Sequence, residues 1–360
     1  MMSETTTPIK IGISGLGRSG HGIHIKGLKD LTDLFQIVAV FDPIKERTED
    51  VKEDLGCRVV DSFEELIADD EVELVIVASM NPHHAAQATA ALKAGKHVLC
   101  EKPFGLTVAD VDGMLAASKE SGKVLQPFQQ RRQEVDFQKV KEICESGILG
   151  EIQFVRICWH GFGRRWDWQT DHKTSGGALN NNGPHPIDHA MILFGDENPD
   201  VWCEMRRVLC SGDAEDYLKV ILTGKGRPTV EVELHSNVAY GQDRWLVCGD
   251  KGGLRGTTDK LEWKHVDYSK MPERPLQLEP LEGRKYCSEK IEWVEESWEA
   301  EGGGDGGAGA APATQYVHSL YRNLFDVIRN GAQQKITPES VRSRIGVLEK
   351  CRESAAKLNS

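Results

Sequence analysis

The chain has 360 residues, 39% hydrophobic and 28% charged, which predicts a globular protein too long for one ordinary core and therefore built from two domains. Lys and Arg number 44 against 56 Asp and Glu, a formal net charge of −12, and that acidic balance argues against a nucleic-acid partner. No apolar run reaches the ~20 residues of a membrane span, "MMSETTTPIK" lacks the pattern of a signal peptide, and nine scattered cysteines form no C-x-x-C pair, so a cytoplasmic protein with reduced thiols and no metal site is expected.

Ile9, Ile11 and Ile13 alternate and run into glycines, the pattern of strand, tight turn and helix start. Four further buried strands are expected at 35–43, 73–79, 97–103 and 123–128. "HHAAQATAALKAG" reads as a helix closed by Gly95, because a left-handed C-cap favours glycine. Thr107 and Asp110 have the spacing of a capping box for the next helix. Strands alternating with helices predict βαβ units and a parallel sheet, an α/β first domain over 1–128.

From 151 the pattern changes. "EIQFVRICWHG" alternates as a strand with two unlike faces, and strand-like runs follow at 201–210, 216–223, 229–238 and 243–249 without comparable helices between them. A mostly antiparallel sheet in an α+β second domain, 129–360, is expected. The glycine-rich run at 301–312 reads as a mobile insert. Beyond it Val317, Leu320, Leu324 and Val327 keep helical spacing, and Thr337-Pro338 opens a last helix with threonine as N-cap and proline at N1.

Gly15-x-Gly17-x-x-Gly20 follows the first strand, with Arg18 and Ser19 between its last two glycines. The glycines let backbone amides approach a pyrophosphate, and the helix start stabilises its charge. Asp42 ends the second strand, where a carboxylate takes ribose hydroxyls and repels a 2′-phosphate, so NAD is favoured and NADP is the alternative. The competing reading makes Asp42 the start of an Asp-Pro turn, and nearby Lys45 and Arg47 weaken the preference.

"GKHVLCEKPFGLT", with Glu101-Lys102-Pro103 after a strand, resembles the Gfo/Idh/MocA family, named for glucose–fructose oxidoreductase and inositol dehydrogenase. Asn81 and His84 resemble its T-P-N-x-x-H, with Ser79 and Met80 in place of Thr-Pro, and 320–341 resembles its last helices. The resemblance implies an N-terminal Rossmann domain (Ser79, Asn81, His84, Glu101 and Lys102 at the cofactor) and a C-terminal domain with a large open sheet. It implies that Lys102 is the catalytic lysine, often beside a cis proline. It places His185 on the family's catalytic histidine and Asn181 where related members carry aspartate.

If 178–191 is one helix, Asn181 and His185 share a face, and a neutral amide leaves the histidine neutral near pH 7. His189, four residues on, raises a metal pair, but no Glu or Cys stands at ligand spacing. Arg164, Arg165, Trp166 and Trp168 precede this segment; aromatic faces suit a sugar ring and guanidinium suits a carboxylate. The alternative is a loop anchored by two core tryptophans. The expected activity is hydride transfer between a sugar, polyol or sugar-acid secondary alcohol and NAD(P), in a homodimer or homotetramer. The rivals are a glycosidase with an internal NAD redox cycle and a non-catalytic dinucleotide-binding regulator.

Overall fold

The computed structural model describes residues 7–283, 286–300 and 313–358. The glycine-rich run 301–312, expected as a mobile insert, lies outside the described residues. The first sheet comprises β1 (Ile9–Ser14), β2 (Phe35–Phe41), β3 (Arg58–Val59), β4 (Leu74–Val77), β5 (His97–Cys100) and β6 (Leu125–Pro127). Its order is β3-β2-β1-β4-β5-β6 and every pair is parallel. Ile9, Ile11, Ile13 and all four residues of β4 are fully buried, as strands covered on both faces require. Strand order reverses between β1 and β4, which opens a crevice at the carboxyl ends of the strands.

The helices of this part are a π-helix, Gly20–Ile25, that continues as α1 (Lys26–Leu28), then α2 (Lys45–Leu55), α3 (Phe63–Ala68), α4 (His84–Lys93) and α5 (Val108–Ser121). Gly95 follows α4 with φ 79°. The capping box of α5 is formed in both directions: Asp110 N–H donates to Thr107 Oγ1 at 3.1 Å and Thr107 N–H to Asp110 Oδ2 at 2.9 Å.

α6 (Val135–Glu145) leads into the second sheet: β7 (Ile152–His160), β8 (Asp200–Arg206), β9 (Tyr217–Thr223), β10 (Thr229–His235), β11 (Trp245–Gly249), β12 (Gly252–Gly256), β13 (Lys260–His265) and β14 (Val294–Glu299). Its order is β14-β13-β12-β11-β7-β10-β9-β8; β7 and β10 are parallel and the other pairs antiparallel. The run 201–210 stops as a strand at Arg206, because the Asp216 carboxylate takes the amides of Val208, Leu209 and Cys210 at 2.6, 2.8 and 2.7 Å and bends the chain.

α7 (Ala178–Asn181) and α8 (Pro184–Phe194) lie between β7 and β8, and α9 (Ala313–Asn330) and α10 (Pro338–Leu358) close the chain. Ser340 N–H donates to Thr337 Oγ1 at 3.2 Å, the N-cap of α10. α9 returns to the first sheet, with Tyr321 and Phe325 5.4 and 5.9 Å from the Phe35 ring. α10 touches both parts: Glu349 accepts from Val108 N and Ser354 Oγ from Cys203 N, each at 2.9 Å. No helix of the described residues is long and apolar enough to cross a membrane.

Candidate active site

Gly15 leaves β1 with φ 96°, and a Cβ there would sit 2.5 Å from the Ala78 carbonyl oxygen. A Cβ on Gly20 would lie 1.9 Å from the Gly15 oxygen. Gly17 differs: its side is open, with only Arg47 Nη1 at 3.7 Å. So Gly15 and Gly20 are needed to make the turn, while Gly17 leaves a bare cradle before the helix start that fits a pyrophosphate. Gly17→Ala is therefore expected to keep the melting temperature and weaken NADH binding about tenfold or more. Gly15→Ala is expected to lower the melting temperature itself. Calorimetry beside NADH fluorescence titration separates the two, and a Gly17→Ala variant that melts early would remove the distinction.

Exposed Arg18 and half-buried Ser19 stand at the mouth of this loop. The buried Asp42 carboxylate accepts Leu16 N–H at 2.6 Å and Ile44 N–H at 2.9 Å, with Arg47 Nη1 at 3.4 Å. It thus shapes the turn as the competing reading held, while Oδ1, which meets Ile44 N–H alone, keeps one further acceptor position. His84 lies between two carbonyls, Pro103 O at 2.8 Å and Ser79 O at 2.9 Å, and joins the ends of β4 and β5. Asn81 donates to Ser175 O at 2.9 Å and so bridges the two domains.

Lys102 follows β5, and its bond to Pro103 is cis. Its Nζ donates to the main-chain oxygen of Asn181 at 2.8 Å. Burial lowers the pKa of Lys102, Glu101 opposes, and Arg18, Arg131 and Arg165 reinforce the lowering. His185 is buried, and its pKa falls well below the usual histidine range through burial first and then Arg131 and Lys102.

The expected single helix over 178–191 is two helices. The chain breaks at Asn182 and Gly183, and Pro184, which needs no N–H partner, starts the second. The Asn181 amide accordingly donates to Gln169 O at 2.7 Å, with Asn81 Nδ2 3.5 Å from its oxygen. The neighbour of the His185 ring is Gln129, whose Nε2 is 3.0 Å from Pro184 O and 3.5 Å from His185 Nδ1. Asn181 contributes its carbonyl to Lys102, a role no residue type encodes.

A cavity of about 550 Å³ is lined among others by Arg131, Trp159, His160, Arg164, Arg165 and Tyr316, with His185 behind the Trp159 ring. Trp159, with its ring 6.1 Å from His185 and near parallel to it, is the aromatic wall of the site. Sequence reasoning missed it, although the alternation of β7 places it on the face of Val155 and Ile157. Trp166 and Trp168 are exposed, 77% and 38%, and lie outside this lining; neither is a core anchor. His160, Cys158 and Glu233 bring ligand-type atoms within 4.8 Å of one another. There Glu233 pairs with His160 and Lys219 at 3.0 Å each, and Gln242 N–H faces the other nitrogen of His160, where a metal-bound histidine would need an acceptor.

His189 lies flat on Phe137 at 3.9 Å and meets Arg131 O at 2.9 Å, a structural role rather than a metal pair with His185. Burial, then Arg244, pushes its pKa down to about 3. The unfolded chain takes up this proton below about pH 6.5, the folded chain only near 3. Its contribution is therefore complete above pH 6.5 and falls through that window by about 1.4 kcal/mol per pH unit. Melting temperatures measured down a pH series are expected to fall from pH 6.5 onwards. His189→Phe, which keeps a flat ring, should flatten that slope by one proton's worth; an unchanged slope would contradict the assignment.

A model of the oxidoreductase family Gfo/Idh/MocA, NAD-binding Rossmann fold, matches residues 9–129, and a model of the Gfo/Idh/MocA C-terminal domain matches 137–255. Myo-inositol 2-dehydrogenase of Thermotoga maritima is 32% identical over 254 residues, 68% of this chain and 74% of that protein. The scyllo-inositol 2-dehydrogenase (NADP(+)) IolW of Bacillus subtilis is 28% identical over 362 residues, 96% of this chain and 94% of that protein. The WlbA dehydrogenase from Bordetella pertussis, solved with NADH and UDP-GlcNAcA, shares the fold with a TM-score of 0.75 at 20% identity, covering 98% of this chain and 97% of its own. With both domain models matched in tandem between residues 9 and 255, the chain belongs to the Gfo/Idh/MocA family of NAD-binding oxidoreductases.

Proposed function

We propose that this protein is an NAD(P)-dependent dehydrogenase acting on a secondary alcohol of a sugar or polyol. The observation that carries the reading is a desolvated Lys102 whose charge reaches a buried, neutral His185, with Trp159 between that histidine and a roomy cavity of the second domain. Bound NAD(P) supplies the hydride acceptor at its nicotinamide. The chain's own part is the proton. As a free amine, Lys102 removes the hydroxyl proton, and the Asn181 carbonyl then holds the ammonium. The Gln129 amide, oriented by Pro184 O, directs N–H at His185 Nδ1, which leaves His185 Nε2–H to donate to a substrate oxygen. The inositol dehydrogenase relatives favour a polyol.

One observation favours a sugar acid instead. Arg165 is paired with Asp167 at 2.9 and 2.8 Å, Arg131 with Glu134, and Arg244 with Glu134 and Asp136. Among the described residues, Arg164 is the guanidinium of the cavity with no carboxylate partner, meeting only Ser211 Oγ at 3.5 Å. WlbA, of the same fold, was solved with the sugar acid UDP-GlcNAcA. Arg164→Gln is expected to raise KM about tenfold for sugar acids and leave neutral polyols unchanged; equal effects on both would exclude the idea.

The deciding experiment mixes the purified protein with NAD and then NADP across sugars, polyols and sugar acids, and follows the near-ultraviolet absorbance of reduced nicotinamide. A steady rise with one class supports the dehydrogenase. Release of a sugar leaving group without net reduction would move the reading to the glycosidase, and neither outcome to a regulator. The broad outer face of the eight-stranded sheet fits a homodimer or homotetramer, which light scattering checks.

A further inference from the structure

His24 was not singled out by the sequence. It lies in the π-helix behind the glycine loop and is fully buried. Its Nδ1 is 2.7 Å from the hydroxyl of Tyr321 on α9, also fully buried. Its Nε2 is 3.3 Å from Glu101 Oε1, an ion-pair distance, and among the described residues neither buried atom has a hydrogen-bond partner. The other Glu101 oxygen accepts the main-chain N–H of Lys102 at 2.9 Å. The His24 ring packs on Phe128, 4.5 Å between centroids. Four separate segments therefore converge behind the lysine.

We propose that His24, braced by Tyr321, holds Glu101 as a carboxylate and thereby sets the proton affinity of Lys102. A carboxylate this deep, met by one main-chain N–H, is costly unless a second donor faces it. Tyr321 donates its O–H to Nδ1, the proton of His24 sits on Nε2, and that N–H faces Glu101. The other titratable groups around Glu101 are His84 on α4, Cys100 on β5 and Lys102 itself. Around Lys102 the charge of Glu101 opposes burial and the cations Arg18, Arg131 and Arg165. The brace thus acts on the side of the ammonium, and its loss releases the amine. It is no proton route: the chain of contacts ends at Tyr321, which has no solvent exposure. His24 and Tyr321 are positioning residues.

The functional consequence rests on Lys102 as the base of the proposed reaction, but the test reads the amine directly. Wild-type protein, Glu101→Gln, His24→Phe, Tyr321→Phe and the double variant His24→Phe/Glu101→Gln are labelled with limiting acetic anhydride across a pH series. Modification at Lys102 is quantified by mass spectrometry, with exposed Lys93 as reference. Calorimetry checks that each protein is folded. At a fixed, mildly alkaline pH, Glu101→Gln is expected to label at Lys102 roughly threefold or more faster than wild type. His24→Phe should move the same way, the double variant no further than Glu101→Gln, and Tyr321→Phe in the same direction but less. If His24→Phe does not fold, Tyr321→Phe carries the test. A Lys102 profile that stays at wild type in the folded brace variants overturns the proposal. If the profiles move as expected while a Lys102→Met enzyme keeps its activity, the brace stands and the catalytic reading falls.

Discussion

Lys102→Met is expected to lower kcat by about 10²–10⁴-fold while NADH binding changes little. The Lys102 amine is the base of the proposed reaction, and methionine keeps its length and apolar stem without a base. The binding cradle, Gly15 to Gly20, is formed by other segments and stays intact. Lys102→Arg should fare no better, because guanidinium remains protonated at any working pH and cannot act as the base. The pH dependence follows in sign. Oxidation needs the free amine, so the rate rises with pH as Lys102 loses its proton. Burial, with Arg18, Arg131 and Arg165, places that rise below the ordinary lysine range near 10.4. Steady-state rates on the substrate found in the panel, with NADH titrations of each variant, decide the matter. A loss of less than about tenfold in Lys102→Met would pass the base role to His185.

The parts of this molecule legible in its sequence are those fixed by neighbours along the chain. The buried parallel strands show as apolar blocks, the glycine loop as its spacing, and Gly95, Thr107–Asp110 and Thr337–Pro338 as end signals, because each depends on a few consecutive residues. What escaped depends on distant pairing. Trp159 meets His185 only because β7 lies at the centre of the second sheet. β12 and β14, "GGLRG" and "VEESWE", have almost no apolar alternation and exist because neighbouring strands pair with them. The tie between Asn181 and Lys102 runs through a backbone oxygen, which any side chain would have supplied. For Trp166 and Trp168 the composition fitted both a sugar platform and a loop anchored by core tryptophans, and their exposure removes only the core anchor.

The same contrast explains why the buried helix α8 carries His and Asp near its start. Asp188, one turn beyond His185 on α8, is fully buried and bound by Arg132 through Nε at 2.9 Å and Nη2 at 2.5 Å, and by Arg344 through Nε at 2.7 Å. Burial opposes its ionisation, but the two guanidinium groups outweigh it and hold the carboxyl below the usual range. Arg132 lies where the two domains join and Arg344 on α10, so one carboxylate ties together three segments that frame the site. Asp188→Asn removes the charge, keeps the shape, and leaves both arginines, 12% and 5% exposed, without their shared counter-ion. Breaking a buried pair in this way costs about 3–5 kcal/mol, far more than the pair contributes relative to apolar packing. For a chain of this size the apparent melting temperature is expected to fall by roughly 5 °C. Because α8 also carries His185, kcat should fall with it even well below the melting range. Arg344→Met, which removes one cation and leaves Arg132 on Asp188, should cost less than Asp188→Asn. Calorimetry on both variants checks the order, and an Asp188→Asn protein as stable as wild type would show that this network positions α8 without holding the fold.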